Sequence, residues 1–304
     1  MFKHVSARFS APSRAATVVA AAAALGLAIP AGALAHDGHH GHGAPAVPAP
    51  PASPTRADQI QNIDQVKTAI KGYYGDTATS TPDPVDGATT LHQFSPTGAY
   101  AHETRQIAQR ATAFLTGHTR HQKTHRAKGH QQQRQARVEM RSQGKKAILF
   151  DVDDTTLNTY SYEIYSNFVY NPTSNAAFVN AGSATVFPAV PGMPGLEAAA
   201  VKNGYTVFFL TGRPASQLAG TEANLTDAGY TYEAANIYLK DQTKPWLSSC
   251  APSCTTIQYK SLTRKYIESQ GYDIVANFGD QYSDLKGGYA DKRFKLPNPM
   301  YYLP

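Results

Sequence analysis

The chain has 304 residues, enough for one sizeable domain with appendages. Its formal charge of +6 has one source. Residues 117–146 carry nine Lys/Arg against one acid, Glu139, a local +8, so the rest of the chain sums to −2 and a generally basic protein is excluded. Two cysteines leave room for a single bridge and exclude a disulfide scaffold.

The chain opens with Lys3, Arg8 and Arg14, an Ala/Val/Leu stretch over residues 15–29, and Ala33-Leu34-Ala35. That layout predicts a secretory signal over residues 1–35 with a small-x-small cleavage site. A retained anchor would need about 20 strongly apolar residues. This run is Ala-rich and broken by Pro30, and no cysteine follows it to carry a lipid. Cleavage before His36 implies an exported protein, secreted or held at the cell envelope, with no later transmembrane segment. Residues 36–55 (HDGHHGHGAPAVPAPPASPT) read as a flexible, partly polyproline linker. His36, His39, His40 and His42 either chelate a transition metal or form a solvated tail, and the composition favours the tail.

A helical N-terminal region is expected over residues 56–145. Ile60, Ile63, Val66 and Ile70 recur at helical spacing and predict an amphipathic helix over residues 57–72. A turn-rich stretch with Pro82, Pro84 and Gly87 follows, then a helical pattern over residues 97–143 that contains the basic run. The run, with His118, His121, His125 and His130, is either a docking surface for an anionic polymer or cell envelope, or a solvated face or arm. It lacks the interleaved aromatics that stack on bases, which favours the solvated reading and argues against a specific nucleic-acid partner.

From Lys146 short apolar runs alternate with helical patterns: strands in KAILF, YTVFFL, NIYL and DIVANFG, helices in GLEAAAVKNG, PASQLAGTEANLTDAG and SLTRKYIESQG. Such alternation predicts an α/β fold, a three-layer, Rossmann-like parallel sheet over residues 146–304 with helices on both faces. Chemistry in such sheets collects at the carboxyl ends of the strands. Asp151, Asp153 and Asp154 (FDVDDTTL), Thr211-Gly212-Arg213, and the GDQYSD segment with Asp280 and Asp284 all follow strands. The TGRP segment reads as a turn into a helix, with Pro214 in its first turn. In CAPSC, Cys250 and Cys254 read as a disulfide across a short loop, worth about 2 kcal/mol on a chain-entropy argument. A lone C-x3-C is weaker support for a metal site.

All 11 histidines lie at or before His130, so the α/β domain has none for a Ser-His-Asp triad or a phosphohistidine. The G-x-S-x-G, H-E-x-x-H and P-loop patterns are missing as well. Carboxylates, a threonine and lysines remain, a set suited to phosphoryl transfer onto an aspartate. That chemistry needs a nucleophilic carboxylate, a hard cation such as Mg²⁺, a proton donor for the leaving alcohol, and groups that hold the phosphoryl oxygens.

FDVDDTTLN, VFFLTGR, YKSLTRKYIESQGY and NFGDQYSDL together resemble the four motifs of the haloacid dehalogenase superfamily. The nearer similarity is to its class B, plant-type secreted acid phosphatases and vegetative storage proteins, a branch that the ending KLPNPMYYLP also resembles. The resemblance implies a Mg²⁺-dependent phosphatase core over residues 146–304 acting on small phosphate monoesters. It implies Asp151 as nucleophile, Asp153 as general acid and base, Thr211 on the phosphoryl group and Lys260 as charge partner, with Lys265 as runner-up. Asp151, the Asp153 carbonyl, Asp280 and Asp284 are the implied metal ligands, and Asp154 receives no direct role. A phosphotransferase on the same site and a non-catalytic storage or polymer-binding protein are the rivals, and intact Asp151 and Asp153 argue against a retired site. Residues 158–187 are too short for a large cap, so a small cap is expected; its Tyr160, Tyr162, Tyr165, Phe168 and Tyr170 either grip substrate or glue the N-terminal helices on.

Overall fold

The computed structural model describes residues 54–125 and 144–303, the side chains of 118–125 excepted. The expectations for residues 1–53 and for the basic run over 126–143 lie outside the described residues. No described helix is long and apolar enough to cross a membrane.

The N-terminal elements are α1 (Ile63–Tyr74), a hairpin of β1 (Thr77–Pro82) and β2 (Thr90–Gln93), and α2 (Ala99–His125). The helix expected over 57–72 begins later than its apolar spacing suggested. The Asn62 side chain caps it by accepting from the Asp64 N–H at 2.9 Å, and Gly75 closes it in the left-handed region. Ile60 and Ile63 are therefore exposed, while Ile70 and Tyr74 pack inward. The turn-rich stretch conceals the hairpin, whose turn is organised by the Asp83 carboxylate accepting from Val85, Asp86, Gly87 and Thr89.

The core sheet runs in the order β5 (Ile237–Lys240), β4 (Thr206–Pro214), β3 (Lys145–Phe150), β6 (Tyr272–Gly279), β7 (Lys292–Lys295), with every pairing parallel. Central β3 is apolar on both faces, as a doubly covered strand must be. Ile148 and Phe150 join the cluster built with α2, α5 (Met193–Lys202) and α6 (Leu218–Asp227); Ala147 and Leu149 join the one built with α7 (Thr256–Ser269). That is the expected three-layer arrangement. Strand β7 escaped the sequence reading because its residues, KRFK, are mostly charged, as suits a half-buried strand at a sheet edge.

The small cap consists of α3 (Tyr160–Tyr165) and α4 (Pro172–Asn180). Helix α4 approaches α6 closely because Gly220 lacks a Cβ, which would stand 2.7 Å from the Val179 carbonyl oxygen. The buried cap aromatics act as glue. Tyr160 stacks on Tyr74 at 4.5 Å, Tyr74 stacks on Tyr100 at 4.4 Å, and Tyr162 packs edge-on against Phe178. Tyr170 is exposed. Cys250 and Cys254 form a disulfide just ahead of α7, which begins in a Thr255–Gln258 capping box.

Candidate active site

Strand order explains why the motifs meet. The chain adds β4 and β5 on one side of β3, then returns to add β6 and β7 on the other, so the switch point lies between β3 and β6. Phe150 pairs with Phe278, and the Asp151 N–H donates to the Phe278 carbonyl at 3.0 Å, which sets Asp151 beside the end of β6. Asp280 follows β6 directly, and Asp284 lies on the one-turn helix α8 (Tyr282–Leu285).

Asp151, Asp280 and Asp284 are buried and offer carboxylate oxygens all within 4.8 Å of one another. Lys260, on α7 and buried, pairs with Asp151, with Asp284 at 2.7 Å and with the Leu210 carbonyl at 3.0 Å. Lys265 on the same helix is exposed. Burial would push the Lys260 ammonium down, but Asp151 and Asp284 outweigh it and hold the group well up in its charged form. Burial, reinforced by Asp284 and only partly offset by Lys260, raises the Asp151 carboxyl well above the ordinary range. Asp280 is pushed up to about 6 by burial and then by Asp284, while Asn298 and Gln281 pull the other way.

Three buried carboxyls with one ammonium in direct contact crowd like charge, and the upward shifts of Asp151 and Asp280 reflect it. A divalent cation would offset that crowding, and an all-oxygen donor set suits a hard ion such as Mg²⁺ better than a soft one. The residues therefore fit the metal the resemblance implies. Close approach is built into the backbone here: a Cβ on Gly279 would run into Asp284 and stand 2.8 Å from its Oδ2.

The Asp153 carboxylate turns away from this cluster. Arg213 grips it, with Nε 3.1 Å from Oδ1 and 3.2 Å from Oδ2, and Nη2 2.6 Å from Oδ1. Thr211 Oγ1 lies 3.5 Å from Asp153 Oδ2 and accepts from the Arg213 N–H at 3.1 Å. At 29% side-chain exposure, Asp153 is the most open carboxylate of the group. The TGRP segment is not the start of a helix. Strand β4 continues to Pro214 and bulges, so that residues 211–213 face the single residue Leu239 between paired positions on β5. The bulge aims Thr211 and Arg213 together into the site. Arg213 went unassigned at the sequence level, although its i+2 spacing from Thr211 on a strand was available as a signal.

Asp154, without a direct role in the sequence reading, is fully buried with φ of 55° and organises the loop. It accepts from the Thr159 N–H at 3.0 Å, Thr159 Oγ1 at 2.6 Å and the Tyr301 hydroxyl at 2.8 Å. Arg264, also fully buried, donates to the carbonyls of Asp284 at 2.7 Å, Lys286 and Gly288 at 2.8 Å, and so braces the loop that carries Asp284.

Residues 85–304 match the family model of the HAD superfamily, subfamily IIIB (acid phosphatase). Among curated proteins, the chain is 37% identical over 165 residues to a stem 28 kDa glycoprotein of Glycine max, covering 52% of this chain and 61% of that protein. It is 35% identical over 170 residues to acid phosphatase 1 of Solanum lycopersicum, covering 55% and 62% respectively. These matches span less than two thirds of those relatives' lengths. Among solved structures, a class C acid phosphatase from Bacillus anthracis with tungstate bound superposes with a TM-score of 0.51 at 21% identity, over 79% of this chain and 86% of that one. That likeness supports the fold.

Proposed function

The chain belongs to subfamily IIIB of the HAD superfamily, the acid phosphatase subfamily, and on that premise we propose that it is an exported, Mg²⁺-dependent phosphatase of small phosphate monoesters. The observation that carries this reading is the Asp151–Asp280–Asp284 cluster with Lys260 on one side and the Arg213-held Asp153 on the other.

Asp151, Asp280 and Asp284 would hold the cation, with the Asp153 carbonyl as a further ligand. The bound cation screens the carboxylates from an anionic substrate and draws charge from the phosphoryl oxygens. The Asp151 carboxylate attacks phosphorus, and the bond to the ester oxygen breaks. Asp153 supplies the proton that the leaving alcohol takes up. Water then attacks the aspartyl-phosphate, gives its proton to Asp153 and releases phosphate, restoring Asp151. Lys260 orients Asp151 and favours its ionised form against the burial that raises it, Thr211 Oγ donates to the phosphoryl group, and Arg213 keeps Asp153 aimed at the leaving oxygen. Export is supported by the N-terminal signal pattern and by a disulfide that suits an oxidising compartment.

The test is p-nitrophenyl phosphate hydrolysis by the chain from His36 onward, with Mg²⁺ or EDTA, beside Asp151→Asn. Metal-dependent turnover that the variant loses supports the reading. A wild type inactive from acid to neutral pH on several esters sinks it. N-terminal sequencing of the mature protein, expected to begin near His36, tests export.

A further inference from the structure

We propose that Asn298 is a positioning residue for Asp280, and that the tail over residues 296–303 is a built part of the metal site; this rests on the metal reading above. Asn298 Nδ2 donates to Asp280 Oδ2 at 2.8 Å and reaches Asp154 Oδ2 at 3.5 Å. Its orientation is determined, because Asn298 Oδ1 accepts from the Met300 N–H at 2.8 Å and a backbone N–H can only donate. The amide nitrogen must therefore face the two carboxylates.

A second amide points at the same oxygen. Gln281 Nε2 donates to Asp280 Oδ2 at 2.6 Å. With two donors on Oδ2, the other oxygen, Oδ1, keeps only Thr155 Oγ1 at 3.2 Å and is the one left to ligate. Both donors are neutral. An ammonium or guanidinium here would compete with the cation for the charge of Asp280, whereas an amide fixes the rotamer and leaves the charge in place.

The tail is anchored with the precision this requires. The Leu296 N–H continues the sheet by donating to the Gly279 carbonyl at 2.9 Å, and Leu296 and Met300 are buried on either side of Asn298. Pro299 follows it and biases the Asn298 backbone to extended conformations, while Pro297 fixes its own φ just ahead. Further along, the Leu303 N–H donates to Gln281 Oε1 at 2.9 Å, Ser283 Oγ donates to the Leu303 carbonyl at 3.2 Å, and the Tyr301 hydroxyl binds Asp154. These bonds end on the last residue of β6, on Gln281 and the one-turn helix α8 just after Asp280, and on Asp154 itself.

The experiment measures Mg²⁺ binding to the substrate-free protein by isothermal titration calorimetry, thermal melting in EDTA, and kcat and KM. The variants are Asn298→Ala, Asn298→Ser and Tyr301→Phe. Serine keeps the bond to the Met300 N–H but falls short of Asp280, which guards against a variant that merely fails to fold. Tyr301→Phe removes a donor to Asp154 and none to Asp280. Both Asn298 variants are expected to weaken the Mg²⁺ Kd about 10-fold or more, with the loss in kcat restored by excess Mg²⁺. Tyr301→Phe is expected to melt earlier with an unchanged Kd. Wild-type Mg²⁺ affinity in both Asn298 variants overturns the role. A wild type that takes up no Mg²⁺ overturns the metal reading, and this role with it.

Discussion

Replacing Lys260 by Met asks how much of the site's stability rests on one ammonium. The side chains are similar in length, so packing changes little. What disappears is the one described cation ion-paired with the Asp151 and Asp284 carboxylates, whose side chains are 8% and 5% exposed, and the donor on the Leu210 carbonyl at 3.0 Å. Removing one partner of a buried ion pair costs about 3–5 kcal/mol, and orphaning a buried carbonyl about 1–3 kcal/mol. Some of that is recovered as a carboxylate takes up a proton, which leaves about 4 kcal/mol at pH 7.5 without metal. Because Asp151 is already displaced upward by burial and Asp284, protonation replaces the ammonium more readily in acid, so the penalty shrinks toward pH 5. Urea denaturation of wild type and Lys260→Met in EDTA, at both pH values, measures it. A loss below about 1 kcal/mol at pH 7.5, or one that does not change with pH, would refute the reasoning. In a double-mutant cycle with Asp284→Asn the two losses should be clearly less than additive.

Arg213→Lys should fold normally yet lose about 10- to 100-fold in kcat on p-nitrophenyl phosphate, because one ammonium cannot reproduce the fork on Asp153. Asp154→Asn, which tolerates φ of 55°, should cost about 1 kcal/mol in a thermal melt, whereas Asp154→Val should cost about 3 kcal/mol or more by combining backbone strain with donors left unpaired at Thr159 and Tyr301. The metal-free protein should gain stability on acidification. Asp280 titrates at about 6 when folded against 3.8 when unfolded, so between those values the native state binds the extra proton and stability falls as pH rises, by up to ~3 kcal/mol. Saturating Mg²⁺ should flatten or reverse that slope, and denaturation midpoints from pH 4 to 7.5 read it directly.

The parts of the site that were legible in the sequence are those whose position follows from topology. A central strand apolar on both faces leads directly into Asp151, its neighbour β6 leads into Asp280, and Thr211 lies toward the carboxyl end of its other neighbour β4, so three motifs far apart in the chain had to converge. The choice between Lys260 and Lys265 was also available, since Lys260 shares a helical stripe with buried Arg264 and Ile267 while Lys265 faces out. Reading TGRP as a turn hid Arg213, which strand alternation alone would have set beside Thr211. Asn298 had no such signal. It meets Asp154 from 144 residues away, and no local period or propensity encodes that contact. The β1–β2 hairpin was missed for a different reason: TATSTP is polar and ends in proline, and its pairing partner is what makes it a strand.

On the mechanism proposed, the Asp151 carboxylate receives the phosphoryl group. Wild-type protein is mixed with substrate and Mg²⁺, quenched in milliseconds, reduced with borohydride and digested for peptide mass mapping. An aspartyl-phosphate is reduced to homoserine, so the expected result is homoserine at position 151, dependent on substrate and absent from Asp151→Asn. Sustained hydrolysis with Asp151 unmodified, or with the label on another aspartate, would contradict it.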